Sequence, residues 1–294
     1  MKFFLSGIVF FTALIYIFYA LDIGVVFDSL FSFSLEAIIF LVILNLISLY
    51  LIGYRFFILY NKISLAESLR VNTVSIGINQ LIPARGGDMV KLFMIKKLTK
   101  CKISSLLAVL MIERFLDIII LVLIAFLIMP ISINIMVFIL LFFCVLFILF
   151  HNKNIFKVLN ILKLIKFKKV RIFLTRFYIA FLRLDKPVLQ RSVLVTVLMY
   201  IFYLISMFLF IKFFTLFELE FLKTSTVFLI STLGLMVPSI PASIGTFEAS
   251  VVFALDMYNI SKESALSFAL VYHLIQILTI LLLTFFIIIR EKYE

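Results

Sequence analysis

Residues 71–97 read VNTVSIGINQLIPARGGDMVKLFMIKK. This apolar stretch starts at Leu65 and runs to Ile82. It breaks at Pro83-Ala84-Arg85-Gly86-Gly87 and resumes from Asp88 to Lys97. Neither part reaches the roughly 20 residues that a membrane crossing needs. Proline removes a backbone donor and glycine permits close backbone approach, so the break reads as a chain reversal. Before it, Asn72, Ser75, Asn79 and Gln80 fall three or four residues apart, a polar stripe on an apolar helix. Such a stripe faces a cavity or a partner helix, not lipid.

Lipid is the solvent the rest of the chain demands. Of 294 residues, 65% are hydrophobic and 14% charged, and the mean hydropathy is +1.30. Soluble domains carry about a quarter charged residues and cannot hide so much Phe, Ile and Leu. Apolar runs long enough to span cover Phe3–Leu21, Leu35–Tyr60, Ser104–Met129, Ile131–Phe150, Val193–Phe217 and Ser264–Ile289. The first lacks a small-residue cleavage site before Asp22 and reads as a retained helix. A second broken stretch runs from Thr224 to Val237, breaks over Pro238 to Gly245, and resumes to about Tyr258. The expected fold is therefore an all-α polytopic membrane protein with six full spans and two re-entrant broken hairpins.

Charge asymmetry orients it. Between His151 and Arg191 stand eleven Lys/Arg against one acid, Asp185, which makes 151–191 a basic cytoplasmic loop. Lys62, Arg70, Lys96, Arg290 and Lys292 also belong inside, whereas Asp22, Glu36, Glu220 and Asp256 belong outside. Both broken stretches then enter and leave on one side. Two spans, a hairpin and a span recur in 1–130 and 131–294, giving one membrane domain of two inverted halves with both termini cytoplasmic. The competing reading makes each broken stretch a single kinked span.

The charges within the spans are the candidate site. Glu113, Arg114 and Asp117 lie mid-span, with Glu113 roughly 13 Å past the start of Ser104–Met129. Each such charge costs at least about 2.5–3.5 kcal/mol at a helix centre. Glu113 and Asp117 share a face, and Arg114 is three residues from Asp117. One arginine between two carboxylates leaves a negative surplus, so a second cation is needed or one acid is protonated. Arg85 is the natural donor. A purely structural ion-pair knot is the alternative. At the first break, Gly86, Gly87 and the following Asp88 and Lys91 open a helix whose N–H groups could hold an anion beside Arg85. At the second, Glu248 follows Gly245 at a helix start, either as a cation or proton site or as a cap.

Other chemistry is sparse. No P-loop, HExxH, GxSxG or Rossmann glycine pattern occurs, and no cofactor or metal set is expected. Cys101 and Cys144 suggest neither a metal site nor a disulfide framework. His273 reads as an inter-helix hydrogen-bonding residue. The basic loop carries Ile155, Phe156, Leu159, Leu162 and Ile165 at helical spacing, as an interfacial helix on anionic lipid or a topology anchor. Nucleic-acid binding is not expected, because the net charge of +12 sits where the positive-inside rule puts it.

Three motifs give the chain a resemblance. These are Asn79-x-x-x-Pro83-x-Arg85-x-Gly87-Asp88-x-x-Lys91, Glu113-Arg114-x-x-Asp117, and Pro238-x-x-Pro241-x-x-x-Gly245-x-x-Glu248. From about residue 45 to 285 the chain resembles the flippase-like transmembrane domain of lysylphosphatidylglycerol synthases, which also occurs as stand-alone proteins. That family usually has Glu at Asp88, Arg at Lys91, and Gly-Gly near Ala242-Ser243. The resemblance implies lipid movement between leaflets of a bacterial or archaeal cytoplasmic membrane, without the domain that makes the aminoacyl lipid.

The expectation is a carrier, not an enzyme, for a phospholipid or polyprenyl-linked lipid with an anionic or zwitterionic headgroup. Arg85, Arg114 and Lys91 would contact the headgroup. Asn79, Asp88, Glu113, Asp117 and Glu248 would shape the cavity or carry a coupling proton. Pro83, Gly86, Gly87, Pro238, Pro241 and Gly245 would be the gate hinges. The rival class is a non-transporting partner that scaffolds a glycosyltransferase or lipid-modifying enzyme through the basic loop. A weaker rival is a membrane transferase using Glu113 or Asp117 as base. Self-association into a homo-oligomer is compatible with either main reading.

Overall fold

In the computed structural model, the described residues are 33–82, 86–101, 103–128, 185–236 and 241–293, with a few isolated positions between 171 and 179. The expected spans Phe3–Leu21 and Ile131–Phe150, most of the basic loop, and Pro83, Arg85 and Pro238 lie outside them. Among the described residues the fold is all-helical. Eight α-helices follow in order: α1 Leu35–Leu59, α2 Leu65–Leu81, α3 Gly86–Thr99, α4 Ile103–Ile128, α5 Lys186–Phe214, α6 Phe221–Met236, α7 Thr246–Asp256 and α8 Lys262–Tyr293. A single 3-10 turn, Pro241–Ser243, joins α6 to α7.

Three helices, α1, α5 and α8, are long and apolar enough to cross a membrane. Helix α4 has 26 residues, also a membrane length, and interrupts its apolar run only with Glu113, Arg114 and Asp117. Helix α5 begins at Lys186, seven residues before the expected Val193. The end of the basic loop is therefore helical, with Pro187 in the first turn, where its missing N–H costs nothing.

The described residues form two compact units. One is drawn from Met1–Gly53, Ala66–Lys91 and Met199–Glu294, the other from Tyr54–Leu65 and Leu92–Leu198. In the first, α8 touches three neighbours. Thr284 Oγ1 donates to the Thr73 carbonyl of α2 at 3.2 Å, His273 meets α7, and Phe268 and Tyr272 pack on Phe210 of α5. The opposite face of α8 shows Leu274, Leu278, Leu282 and Phe285 outward. A surface of large apolar residues covers an interior that also holds hydrogen-bonded Thr279 and Thr284. It suits lipid, where association rests on close packing and internal hydrogen bonds.

Both broken stretches fold back on themselves. Asn72 and Lys91 are nineteen residues apart, about 28 Å along one continuous helix; their side chains are hydrogen-bonded at 2.7 Å. A single kinked span is thereby excluded. Likewise a Cβ on Gly234 of α6 would lie 2.2 Å from Ser250 Oγ and 2.9 Å from the Thr246 carbonyl oxygen of α7. The hairpin legs α2, α3, α6 and α7 have 17, 14, 16 and 11 residues. At 1.5 Å per residue each falls short of the roughly 30 Å hydrocarbon thickness.

Candidate functional site

The first hairpin is closed by its polar stripe. Asn72, Ser75 and Asn79 all face the returning helix α3. Lys91 Nζ donates to Asn72 Oδ1, and Asn72 Nδ2 donates back to the Ser68 carbonyl at 2.7 Å. Ser75 Oγ donates to the Gly87 carbonyl at 2.9 Å, and Gly87 N–H donates to Asn79 Oδ1 at 2.8 Å. Asn79 Nδ2 reaches Asp88 Oδ1 at 3.4 Å. The helices approach so closely that a Cβ on Gly87 would stand 1.9 Å from the Ser75 carbonyl oxygen. Two expectations change here. The Gly87 N–H, offered to an external anion by the sequence reading, is taken by Asn79. Lys91 is buried at 4% exposure and ties α3 to α2.

The second hairpin centres on Glu248, three residues into α7. Of its two sequence readings, the helix cap is present. Oε2 accepts the Gly245 N–H at 2.6 Å and Oε1 meets His273 Nδ1 at 2.7 Å. The carboxylate thus caps α7, complements its dipole and reaches α8. Phe247 packs against the His273 ring with centroids 4.5 Å apart. The break before it holds Ala242 and Ser243 in the left-handed region, at φ 58° and 55°, and Gly245 at φ 86°. Glycine takes such angles freely, and a side chain costs roughly 1–2 kcal/mol. Ala242 and Ser243 therefore take these angles against their own preference.

In the other unit the missing cation is Arg55, which the sequence reading did not single out. From the last turns of α1 its guanidinium pairs with Asp117 through Nη1 and lies 3.5 Å from Glu113 Oε1. Arg114 Nη1 stands 3.7 Å from Asp117 Oδ2. Two arginines and two carboxylates meet in the cluster. The signal was legible: Arg55 is the sole charge in α1 besides Glu36, and a surplus acid on another helix needs such a partner. Arg55 is buried, whereas the Arg114 side chain is 46% exposed. Arg114 starts about 17 Å into α4, so a half-exposed guanidinium lies at the middle of a membrane-length helix. No group of three or more His, Cys, Asp and Glu fit for a metal occurs among the described residues.

Such charges mid-helix, and helical legs too short to span, define an integral membrane protein with a polar interior. The chain belongs to the lysylphosphatidylglycerol synthase TM region family, which matches it over residues 3–284. No curated protein and no solved structure matches it. The family is the membrane region of the synthase and not its catalytic part, and it places the chain among membrane proteins with a lipid-related function.

Proposed function

We propose that this protein moves a phospholipid or polyprenyl-linked lipid between membrane leaflets and carries out no synthesis. The observation that carries the reading is Arg114. A charge at the centre of a membrane helix is expensive and calls for a function. It stands 3.7 Å from Asp117, yet its side chain is half-exposed. A guanidinium in that state suits a phosphate or carboxylate headgroup, which it can hold bidentately.

Arg85 is assigned the same role at the first break. Lys91 is assigned to holding the first hairpin closed. Asn79 and Asp88 shape its tip, Glu113 and Asp117 orient the arginines, and Glu248 belongs to the coupling-proton site. The two hairpins, re-entrant and related by an inverted repeat within six further spans, are the moving gates. Their hinges are Pro83, Gly86 and Gly87 in one and Pro238, Pro241 and Gly245 in the other.

Translocation of fluorescent lipids in proteoliposomes tests the assignment. Arg114→Ala and Arg85→Ala are expected to abolish headgroup-dependent movement while the protein still extracts as a folded monodisperse species. Normal transport by both variants removes the arginines from the headgroup role.

A further inference from the structure

We propose that His273, acting through Glu248, makes the second hairpin respond to a single proton. The argument begins with charge. A carboxylate only accepts hydrogen bonds, while an imidazole Nδ1 donates or accepts. The 2.7 Å contact between them therefore holds one hydrogen, and the pair exists in two states of charge. Imidazolium with carboxylate is neutral. Neutral imidazole with carboxylate carries one negative charge. Both side chains are at most 5% exposed, so that difference is felt in a region where an uncompensated charge is costly.

What meets the extra charge is limited. Glu248 Oε2 keeps the Gly245 N–H, and the α7 N-terminus supplies roughly half a positive charge. Among the described residues, the other titratable groups on the helices packed here are placed as follows. Tyr272 adjoins His273 on α8 as a buried phenol. Asp256 is eight residues along α7, about 12 Å away, and Lys223 lies eleven residues from Gly234, the α6 residue packed on α7, about 16 Å. Lys212 of α5 is exposed. Helix α2, with Glu67 and Arg70, meets α8 at Thr284, eleven residues from His273. Glu248 holds Gly245, the residue joining the left-handed turn to α7, and Phe247 leans on the imidazole. A change in the pair's charge therefore acts directly on the hairpin tip.

The inference rests on the hairpins being moving parts of the proposed transporter, but its test needs no transported lipid. Maleimide labelling of Ile244→Cys, an exposed tip residue, is measured in nanodiscs with Cys101 and Cys144 replaced by serine. Each rate is divided by that of the detergent-unfolded protein at the same pH, which removes thiol ionisation. The expected ratio rises about threefold or more between about pH 5.5 and about pH 8. Glu248→Gln, which keeps both hydrogen bonds without the charge, is expected to be slow and flat. His273→Gln, which leaves the carboxylate charged, is expected to be fast and flat. A wild-type ratio that does not change with pH overturns the proposal even if a variant fails to fold. So does a His273→Gln protein that retains the wild-type curve.

Discussion

Lys91 and Asn72 are joined by a 2.7 Å hydrogen bond across the first hairpin, with both side chains buried. The ammonium closes an antiparallel pair of short helices, and the amide that accepts it is fixed in turn by Ser68. Charged hydrogen bonds of this kind contribute about 1.5–3 kcal/mol. Asn72→Leu, which leaves the ammonium short of an acceptor, is expected to destabilise the protein by about 2 kcal/mol or more. Lys91→Met with Asn72→Leu should cost less than the two single changes added together. Thermal unfolding in detergent for the full double-mutant cycle reads the coupling; additive losses would show that the contact carries no energy.

Arg55 gives a sharper test of the second cluster. Removing one partner of a buried ion pair typically costs about 3–5 kcal/mol, because the remaining charges are left uncompensated. Arg55→Gln is expected to lose that much stability. Adding Asp117→Asn, which removes one surplus charge, should restore part of it. If Arg55→Gln melts with the wild type, the pairing with Glu113 and Asp117 is not what holds this cluster.

Gly87 separates close packing from simple flexibility. Gly87→Ala puts a methyl against the Ser75 carbonyl, a backbone atom that cannot move alone, so the hairpin legs must part. A loss of about 1–3 kcal/mol is expected from overpacking. At neighbouring Gly86 the new methyl meets the Ile82 side chain, with Cγ2 at 2.6 Å and Cβ at 3.1 Å, and that side chain is itself exposed. Gly86→Ala should therefore be the milder change, and equal melting temperatures for the two would contradict the packing argument.

Cys101, in the loop between α3 and α4, has its thiol lowered from the usual value by a hydrogen bond from Tyr60, then by Thr99 and the nearby Lys62 ammonium. Lys62 Nζ lies 3.7 Å from the sulfur. A lowered thiol reacts at lower pH, since the thiolate is the nucleophile. Alkylation of Cys101 should rise with pH at a midpoint below that of an ordinary cysteine. Tyr60→Phe and Lys62→Gln should move the midpoint upward; an unmoved midpoint in both would remove these neighbours as the cause.

Much of this was legible in the chain. The polar spacing of Asn72, Ser75, Asn79 and Gln80 pointed to a cavity or a partner helix, and for the first three α3 is that partner. The apolar runs around Leu35–Leu59, Ile103–Ile128 and Lys262–Tyr293 appear as helices within a few residues of their expected ends. Pairings between distant elements were harder to read. Arg55, the one cation in its apolar run, was an available partner that went unread, because the acids it meets lie 58 and 62 residues further on. The cap made by Glu248 was one of its two readings, but its contact with His273, on another helix, was not legible. Backbone preference misled in the second break as well: nothing in Ala242-Ser243 signals left-handed angles.

The central claim is that this protein itself moves lipid, and the most direct measurement is outer-leaflet quenching in liposomes containing only the purified protein. The lipids would span anionic, zwitterionic and polyprenyl phosphate headgroups, with and without an imposed proton gradient. The account predicts protein-dependent translocation that discriminates among headgroups and is lost in Arg114→Ala. Silence across the whole panel, with the protein folded and inserted, would contradict it and favour a partner that scaffolds another enzyme.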